Sequence, residues 1–180
     1  MKFLVASDLH GSAYYCEKLL NCFELENADK LILLGDLLYH GPRNELPEKY
    51  NPKAVADMLN NYHNKIIAVK GNCDSDVDQF VLHFPIKAEY LIMYLNNKLF
   101  YLTHGDKYSA NDLTSNTQNT VYLYGHTHVF ECDYVDNVLC LNPGSVSIPK
   151  QNDIRGYFII DEKDIIYKTL NGEVLKQIAY

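Results

Sequence analysis

Short apolar runs alternate with longer amphipathic segments along the first part of this 180-residue chain. The runs KFLVAS, KLILLG and KIIAVKG have the length of buried strands, and residues 12–27 and 51–63 between them have apolar residues at helical spacing. Ser12 suits the N-cap of the first helix, and Asn51 followed by Pro52 suits the start of the second. This alternation predicts βαβ units and a mainly parallel sheet.

The later part of the chain has the pattern of strands. The apolar runs EYLIMYL, KLFYLTHG and TVYLYGHTH follow Asp78, and we expect the polar stretch 107–119 to be a loop or a short helix. From Val129 onward, the runs VLCLN, GYFIID, DIIYKTL and VLKQIAY are too short for helices, and turn signals occur at Asp136-Asn137 and Asn171-Gly172. These patterns predict an antiparallel C-terminal third.

The composition is that of an ordinary globular protein, with 47% hydrophobic and 22% charged residues. The sequence contains no internal repeat, flexible linker or break in composition, so we expect a single domain over residues 1–180. The predicted fold class is α/β, a sandwich of two mixed sheets with helices on the outside.

The charge and the apolar runs exclude two classes of partner. Acidic residues outnumber basic residues by 23 to 16, and the basic residues are scattered, so we expect no binding of long nucleic acid. No run approaches the roughly 18 apolar residues of a membrane-spanning helix, and the N-terminal run is too short for a secretion signal. The sequence therefore predicts no membrane association and a cytoplasmic location.

The cysteines argue against a disulfide framework or a structural zinc site, because their number is odd, their spacing is irregular and no CxxC pair occurs. We expect most of them to be small buried hydrophobic residues, with Cys73 as the exception. The five positions are Cys16, Cys22, Cys73, Cys132 and Cys140.

Five apolar runs end in a turn that carries residues able to bind a metal. Because strands of an open α/β sheet place their carboxyl ends at one edge, we expect these turns to converge. Residues two positions apart, such as Asp8 and His10, would point to one side if the backbone stays extended. The turns are SDLHG (7–11), GDLLYHG (35–41), GNCD (71–74), THGD (103–106) and GHTH (125–128).

The number and type of these residues indicate the kind of site. A metal with open positions needs about three or four protein ligands, so seven suffice for two metals that share a carboxylate, for which Asp36 is our candidate. Oxygen and nitrogen ligands without thiolate favour Mn²⁺, Fe²⁺, Zn²⁺ or Co²⁺ over a Cys-type structural zinc. The candidate ligands are Asp8, His10, Asp36, Asn72, His104, His126 and His128.

The motifs DxH, GD, GN, THG and GHTH, in this order, are similar to those of the calcineurin-like metallophosphoesterase superfamily. The segments SDLHG, GDLLYHGPRN, GNCDSDVDQ and NPGSVSIPK resemble its bacterial YfcE-type phosphodiesterase branch, and the resemblance covers nearly the whole chain. It implies an αββα sandwich that hydrolyses a small phosphodiester and can form homo-oligomers. It also implies two divalent metal ions per subunit, Mn²⁺ first, with Zn²⁺, Fe²⁺, Co²⁺ or Ni²⁺ as alternatives.

The resemblance further implies a role for each ligand. One metal would be bound by Asp8, His10, Asp36 and His128, and the second by Asp36, Asn72, His104 and His126. A metal-bound hydroxide would attack phosphorus in line, so no protein nucleophile is required. The residues Asn72, Cys73 and Asp74 would take part in catalysis.

One position departs from the superfamily pattern, because GNH[DE] reads GNCD here. Cys73 thus replaces the imidazole expected to protonate the leaving oxygen, and a thiol is a poorer hydrogen-bond donor. We expect this change to favour diesters over monoesters. Without the imidazole, Asp74 keeps either a catalytic role or only the ordering of its loop through backbone hydrogen bonds.

Residues near the ligand motifs are candidates for substrate contacts. Arg43 and Asn44 follow the bridging Asp36 closely in sequence, and a guanidinium group can bind phosphate oxygens with two hydrogen bonds. The NPGS turn at 142–145 is expected to shape the site. His40 is left open between a substrate-side and a structural role, and His63 and His83 are interpreted as structural.

Three alternatives to a metal-dependent phosphodiesterase remain. The first is a phosphomonoesterase of the same superfamily. The second is a non-catalytic scaffold, as in a retromer subunit of that superfamily, which would be expected to lack metal ligands. The third is a phosphatase with Cys73 as nucleophile. It is disfavoured because such enzymes have an Arg shortly after the Cys, and no Arg lies within a few residues of Cys73.

Overall fold

The structure is a computed structural model and describes residues 1–113 and 119–179. Helices and strands alternate over its first part, as predicted, and strands dominate afterwards. In chain order the elements are β1 (Phe3–Ala6), α1 (Ala13–Leu25), β2 (Lys30–Leu33), α2 (Pro52–Asn60), β3 (Ile66–Ala68), a 3₁₀ turn (Asp78–Phe80), β4 (Tyr90–Leu95), β5 (Lys98–Thr103), α3 (Ala110–Leu113), β6 (Thr120–Leu123), β7 (Phe130–Val135), β8 (Val138–Pro143), β9 (Gly156–Ile160), β10 (Asp164–Thr169) and β11 (Val174–Ala179).

The first sheet has six strands in the order β11-β10-β9-β1-β2-β3. β1, β2 and β3 pair in parallel, which confirms the βαβ prediction. β9, β10 and β11 extend the sheet through antiparallel pairs, with Gly172 in the left-handed region (φ 85°) at the predicted turn before β11.

Both predicted helices begin at their expected caps. The Ser12 side chain accepts a hydrogen bond from the backbone N–H of Tyr15 at 3.3 Å, and Asn51 accepts one from Ala54 at 3.1 Å. Residues such as Leu19 on α1 contribute to the hydrophobic cluster that the helices form with the first sheet. The two helices therefore cover one face of the six-stranded sheet.

Alternation along the central strands divides the core into two layers. Leu4 and Leu31 point to the helices, while Val5 and Ile32 point to the second sheet, where they meet residues such as Phe100. Both layers are buried, so the runs are apolar at successive positions, as expected for central parallel strands.

The second sheet has five strands in the order β4-β5-β6-β8-β7. β4 and β5 form one antiparallel hairpin, and β7 and β8 form another through the predicted turn at Asp136 (φ 47°) and Asn137 (φ 69°). β8 also pairs in parallel with β6, so the expectation of an entirely antiparallel C-terminal third is wrong at this strand. The reason is that β8 is buried throughout and lies inside the sheet rather than at its edge.

The predicted two-sheet α/β sandwich is confirmed, with helices distributed unevenly. The polar stretch contains the one-turn helix α3, whose Ala110 packs near Tyr122 and Cys140 of the second sheet. Residues 114–118 of that stretch lie outside the described residues. No helix in the described ranges is long and apolar enough to span a membrane.

Candidate metal centre

The turns that carry the candidate ligands meet at one edge of the sandwich, where the expected convergence is found. The backbone N–H of Asp8 donates to Gly35 O at 3.2 Å, joining the turns after β1 and β2. The N–H of Gly125 donates to His104 O at 2.9 Å, joining the turns after β6 and β5. The N–H of His126 donates to the Asp8 carboxylate at 3.1 Å, so the two sheets share one site.

The backbone at the ligand positions is not extended. The φ angle is 59° at Asp8, 48° at His10, 65° at His126 and 60° at His128. The expectation that an extended strand points these pairs to one side is therefore wrong, and left-handed turns bring the side chains together instead. Each such non-glycine residue costs on the order of 1–2 kcal/mol, and strain of this kind concentrates at functional sites.

Two glycines of the ligand motifs are required by close packing against the carboxylates. A Cβ at Gly71 would lie 2.2 Å from Asp36 Oδ1, and a Cβ at Gly125 would lie 2.7 Å from Asp8 Oδ2. A side chain at either position would displace a ligand. Gly71 of the GNCD turn and Gly125 of the GHTH turn therefore have a steric role.

Three ligands form what we call the inner group, Asp8, His10 and His128. The Nε2 atoms of the two histidines lie 3.0 Å apart. Asp8 Oδ1 lies 3.4 Å from His10 Nε2 and 3.2 Å from His128 Nε2. All three side chains are buried, with exposed fractions of 0%, 1% and 4%.

Backbone carbonyl groups fix the orientation of the buried histidine rings. Nδ1 of His10 lies 2.8 Å from Tyr39 O, and Nδ1 of His128 lies 2.9 Å from Ile148 O. A carbonyl only accepts, so Nδ1–H is the donor in each ring. In the neutral ring, Nε2 then carries a lone pair directed into the site, as in metal-binding histidines.

The inner group fits a bound cation. Asp8 Oδ1 is buried and makes no hydrogen bond of acceptable geometry within the described residues. Two histidine lone pairs 3.0 Å apart repel each other unless a positive charge lies between them. Metal–ligand bonds of about 2.0–2.2 Å place neighbouring ligand atoms about 3 Å apart, close to the observed separations.

The pKa values also indicate that the centre stabilises positive charge. Burial alone would raise the pKa of Asp8 and Asp36, but their histidine neighbours outweigh it and hold both values below the usual range. Burial would lower the pKa of His104, yet the Asp36 carboxylate raises it to about 9. The centre therefore attracts either protons or metal ions.

The remaining ligands form what we call the outer group, Asn72, His104 and His126. His104 Nε2 lies 3.0 Å from Asn72 Oδ1, and His126 Nδ1 lies 2.7 Å from the same oxygen. His104 is buried, and its Nδ1 donates to Leu34 O at 2.7 Å. Asn72 is exposed and His126 is half-buried, so this group opens to solvent.

Asp36 lies between the two groups. Its Oδ2 is 3.7 Å from His10 Nε2 in the inner group and 3.4 Å from His104 Nε2 in the outer group. Its Oδ1 accepts a hydrogen bond from the backbone N–H of Cys73 at 2.7 Å. This is the position expected of a bridging carboxylate.

The Asp74 carboxylate accepts hydrogen bonds from the backbone of two loops of the site. Its Oδ2 accepts hydrogen bonds from the backbone N–H groups of Asp36 and Gly71, and its Oδ1 accepts one from Leu37, each at 2.8 Å. Burial and the nearby Asp36 raise its pKa to about 6. Of the two roles considered for Asp74, the geometry shows the ordering of the loops.

Cys73 faces the site and differs from the other cysteines. The five cysteines are free, and Cys73 is half-buried whereas the others are buried, as predicted. Its sulfur lies within 4.8 Å of ligand atoms of His10 and Asp36. Burial and the Asp36 carboxylate raise the pKa of the thiol to about 12, so it stays neutral.

The NPGS segment holds the first ligand turn. The hydroxyl groups of Ser145 and Ser147 donate to the backbone carbonyl of Asp8 at 2.7 and 3.0 Å. Asn142 donates to Gly125 O at 2.7 Å, next to the GHTH ligands. The turn was expected to shape the site, and the two serines that hold Asp8 belong to the same NPGSVS motif, which is the sequence signal for them.

A cavity of about 790 Å³ opens above the ligands, which we call the metal cavity. Arg43 and Asn44, the candidate substrate contacts, line it, and Asn44 also donates to His40 O at 2.8 Å. Lys150 lines the same cavity and was missed, because it lies beyond the ligand motifs in the chain. Its backbone N–H is held by His128 O at 3.0 Å.

The other histidines lie outside the ligand cluster. The exposed rings of His63 and His83 lie edge to face with their centroids 6.5 Å apart, consistent with the structural interpretation. The His40 ring packs against Tyr39 at 4.7 Å and Tyr50 at 5.1 Å. His40 is not among the described residues that line the metal cavity, so the structure supports a packing role.

A two-sheet sandwich with aspartates, histidines and an asparagine gathered at one strand edge defines a metallophosphoesterase fold and site. Residues 1–164 match the family model of the calcineurin-like phosphoesterase superfamily domain. The chain therefore belongs to the calcineurin-like phosphoesterase superfamily, a class of hydrolases.

Relatives place the chain more closely within the superfamily. It is 43% identical to phosphodiesterase YfcE of Escherichia coli, over 99% of this chain and 98% of the relative. A solved structure of Yfce, described as a phosphoesterase from the same organism, superposes with a TM-score of 0.94 at 42% identity, covering 99% of both chains. The chain is also 26% identical to phosphodiesterase MJ0936 of Methanocaldococcus jannaschii, over 80% of this chain and 83% of the relative. The resemblance inferred from the motifs is confirmed.

Proposed function

We propose that this protein is a metal-dependent phosphodiesterase that hydrolyses one ester bond of a small phosphodiester. The inner group supports the proposal most strongly, because Nε2 of His10 and Nε2 of His128 lie 3.0 Å apart beside Oδ1 of Asp8, which makes no hydrogen bond within the described residues. Such an arrangement requires positive charge, from a proton or a metal ion, and divalent cations are the usual cofactors of phosphoester hydrolysis. The 43% identity to a protein named a phosphodiesterase supports the same activity.

Two divalent cations suit the seven donors. One would be held by the inner group with Asp36, and the other by the outer group with Asp36. When bound, the cations supply Lewis acidity to the phosphoryl oxygens and lower the pKa of a water molecule to near 7. Mn²⁺ is our first candidate because the donors are oxygen and nitrogen and the thiol is neutral. Zn²⁺, Fe²⁺, Co²⁺ and Ni²⁺ are the ions to compare with it.

The chain's own residues would bind and orient the phosphate. Arg43 is exposed at the rim of the metal cavity, where its guanidinium group can reach a phosphate oxygen. Lys150 lines the same cavity and can contribute a second positive charge. Asn44 holds the loop that carries Arg43 by donating to His40 O at 2.8 Å, and its second amide hydrogen is left for substrate.

The reacting side of the cavity favours esters with good leaving groups. Cys73 has a pKa near 12, so it is a weak proton donor in the position where the superfamily pattern has an imidazole. A positioned general acid typically contributes about 10²–10⁴-fold to the rate. We infer that esters whose leaving group needs little protonation, such as aryl esters, are hydrolysed best, and the identity to a protein named a phosphodiesterase favours diesters over monoesters.

Two alternatives predict different behaviour. A non-catalytic scaffold would be expected to have lost metal ligands, yet the structure brings all seven together. A phosphomonoesterase would need to bind a doubly charged phosphate and protonate its leaving group without an imidazole. Neither alternative has a specific observation in its favour.

Comparison of two esters after metal exchange tests the proposal. Protein freed of metal with a chelator and reloaded with Mn²⁺ is assayed with bis(p-nitrophenyl) phosphate and with p-nitrophenyl phosphate. We expect hydrolysis of the diester, a kcat/KM for the monoester at least about tenfold lower, and a loss of activity in His126→Ala. If neither ester is hydrolysed although two ions per chain are bound, the phosphodiesterase proposal is wrong.

A further inference from the structure

A second cavity adjoins the metal cavity and differs from it in character. It has a volume of about 650 Å³, and we call it the apolar cavity. Most of the residues that line it have aromatic or aliphatic side chains. Cavities of roughly 300–1,000 Å³ with such a lining are typical sites for organic ligands. The apolar part of the wall is formed by Leu38, Tyr39, Tyr50, Val77, Phe80 and Val81.

The same two loops build both cavities. The first loop runs from the candidate ligand Asp36 to Tyr39, which lines both cavities and whose carbonyl fixes the His10 ring at 2.8 Å. The second loop runs from Asn72 and Cys73 in the metal cavity to Phe80 in the apolar cavity. The two cavities therefore meet at Tyr39, next to the position expected for a phosphate.

The apolar cavity exposes side chains that a folded protein normally covers. Phe80 is 85% exposed, Val77 67% and Tyr39 42%. A cluster of exposed apolar side chains around a cavity marks a binding site more often than chance exposure does. The metal cavity has mainly polar side chains around its ligands, so it offers an organic group less apolar contact.

Aromatic side chains determine which organic group fits best. Tyr39, Tyr50 and Phe80 present three rings to the cavity, and aromatic rings pair favourably in edge-to-face and offset arrangements. The His40 ring packs edge-on against Tyr39 and Tyr50, which fixes the positions of both. An aromatic ligand group would find the two tyrosine rings already ordered, and the exposed Phe80 ring could pack on its other side.

We propose that the apolar cavity binds an aromatic group of the substrate while the phosphate lies at the metal centre. The substrate class is then a phosphodiester with an aryl or nucleobase-bearing ester group, rather than one with two small alkyl groups. This inference rests on the proposed function, because it requires a phosphate at the metal centre. His40 acts here as a positioning residue for the tyrosine rings.

Binding of phosphonates tests the inference without any chemical turnover. Calorimetry on the Mn²⁺-loaded protein compares phenylalkyl phosphonates and adenin-9-yl-alkyl phosphonates, each with two- and three-carbon linkers, with straight-chain alkyl phosphonates of matched length. We expect the better aromatic compound to bind at least about tenfold more tightly than its alkyl match. Tighter binding of the adenine compound would identify a nucleobase group, and equal or tighter binding of the phenyl compound an aryl group.

Variants of the cavity wall locate the effect. The double variant Val77→Ala/Phe80→Ala truncates two exposed side chains outside the metal cavity, so the fold and the binding of methylphosphonate should be unchanged. We expect it to lose most of the aromatic advantage. Leu25→Ala is the matched control, since Leu25 is 82% exposed at the end of α1 and should keep the full advantage.

Three results would overturn the inference. The first is that no aromatic phosphonate binds better than its alkyl match. The second is that the advantage persists in the double variant. The third is that the double variant changes only the oligomeric state in sedimentation, which would show that this face pairs two copies of the chain. In each case hydrolysis of bis(p-nitrophenyl) phosphate by the wild type would still support the proposed function, so the two failures are distinguishable.

Discussion

The inner and outer groups of the metal centre use similar residue types but are held in different ways. In the inner group, His10 and His128 are buried, and each ring is fixed by a backbone carbonyl at 2.8 and 2.9 Å. In the outer group, His104 is fixed in the same manner, but Asn72 is exposed and His126 is half-buried. Among the described residues, the hydrogen bond that the structure gives the His126 ring is to Asn72.

This difference separates two requirements of a hydrolase. Fixed, buried ligands lose little freedom when a metal binds, so the inner group favours tight metal binding. An open outer group would allow a substrate to approach a metal ion bound there. We therefore expect the inner group to retain its ion and the outer group to exchange ion and substrate more readily.

Removal of an inner ligand should have the largest effect. In His128→Ala, Asp8 and His10 lose the third donor of a buried set, and we expect kcat/KM for bis(p-nitrophenyl) phosphate to fall by about 10³-fold or more, equivalent to about 4 kcal/mol. His63→Ala is the control, because its exposed ring lies outside the ligand cluster and is not among the described residues that line either cavity. Retention of more than a tenth of the activity in His128→Ala would contradict the importance of the inner group.

Titration with Mn²⁺ should resolve two classes of site. Backbone partners of metal-binding histidines typically contribute about 10–100-fold in affinity, and the inner group has such a partner on each histidine. We expect one ion to bind at least about tenfold more tightly than the other in calorimetry. His126→Ala should remove the weaker class and keep the stronger one; loss of the stronger class instead would reverse the comparison.

Asp74→Asn should lower the free energy of unfolding, because Asp74 joins the loop that carries Asp36 to the loop that carries Asn72 of the outer group. The charged side chain accepts three backbone hydrogen bonds at 2.8 Å, and an amide can replace only part of this set. Hydrogen bonds to a buried charge contribute about 1.5–3 kcal/mol each, so we expect a loss of about 2 kcal/mol or more in unfolding free energy. Urea denaturation in the presence of a chelator measures this without metal. Asp153→Asn, at a side chain 80% exposed, should change it little.

Arg43→Ala should weaken substrate binding and leave metal binding unchanged. Arg43 is at the rim of the metal cavity and is outside the ligand set, so the two Mn²⁺ affinities should be unchanged. We expect a fall of about tenfold in kcat/KM for the diester, mainly through KM, because a charge-assisted hydrogen bond contributes about 1.5–3 kcal/mol. An unchanged kcat/KM would remove Arg43 from the substrate site.

The smallest effects are expected at the serines behind Asp8. Ser145 and Ser147 both donate to the Asp8 carbonyl, so either hydroxyl can partly replace the other. Each single change to Ala should cost about 1 kcal/mol in stability and less than about threefold in activity. The double variant should lose more than the sum of the two in inner-site Mn²⁺ affinity. Strictly additive losses would show that the two hydroxyl groups act independently.

The ligand set could be predicted because each ligand follows an apolar run that forms a strand. The backbone conformation could not, since Asp and His adopt a positive φ more often than most residues but still rarely, so residue type alone does not assign it to Asp8 and His10. Lys150 reaches the metal cavity and Phe80 the apolar cavity through folding of distant segments, which no local pattern reveals. The parallel pairing of β8 with β6 depends on its burial inside the sheet.

Several expectations from the sequence stay predictions. They are the single domain over 1–180, the cytoplasmic location, the absence of long nucleic acid as a partner, and assembly into homo-oligomers. Mn²⁺ as the native ion belongs to the same group. Each concerns the protein in solution or in the cell, beyond the contacts within one chain.

The most direct test of a two-metal centre is an anomalous difference map from crystals of the Mn²⁺-loaded protein. We expect two peaks per chain, one bounded by Asp8, His10 and His128 and the other by Asn72, His104 and His126, with Asp36 between them. Lowering the Mn²⁺ concentration should remove the outer peak first. A single peak at full loading, or peaks away from these residues, would show that the protein has no two-metal centre at this position.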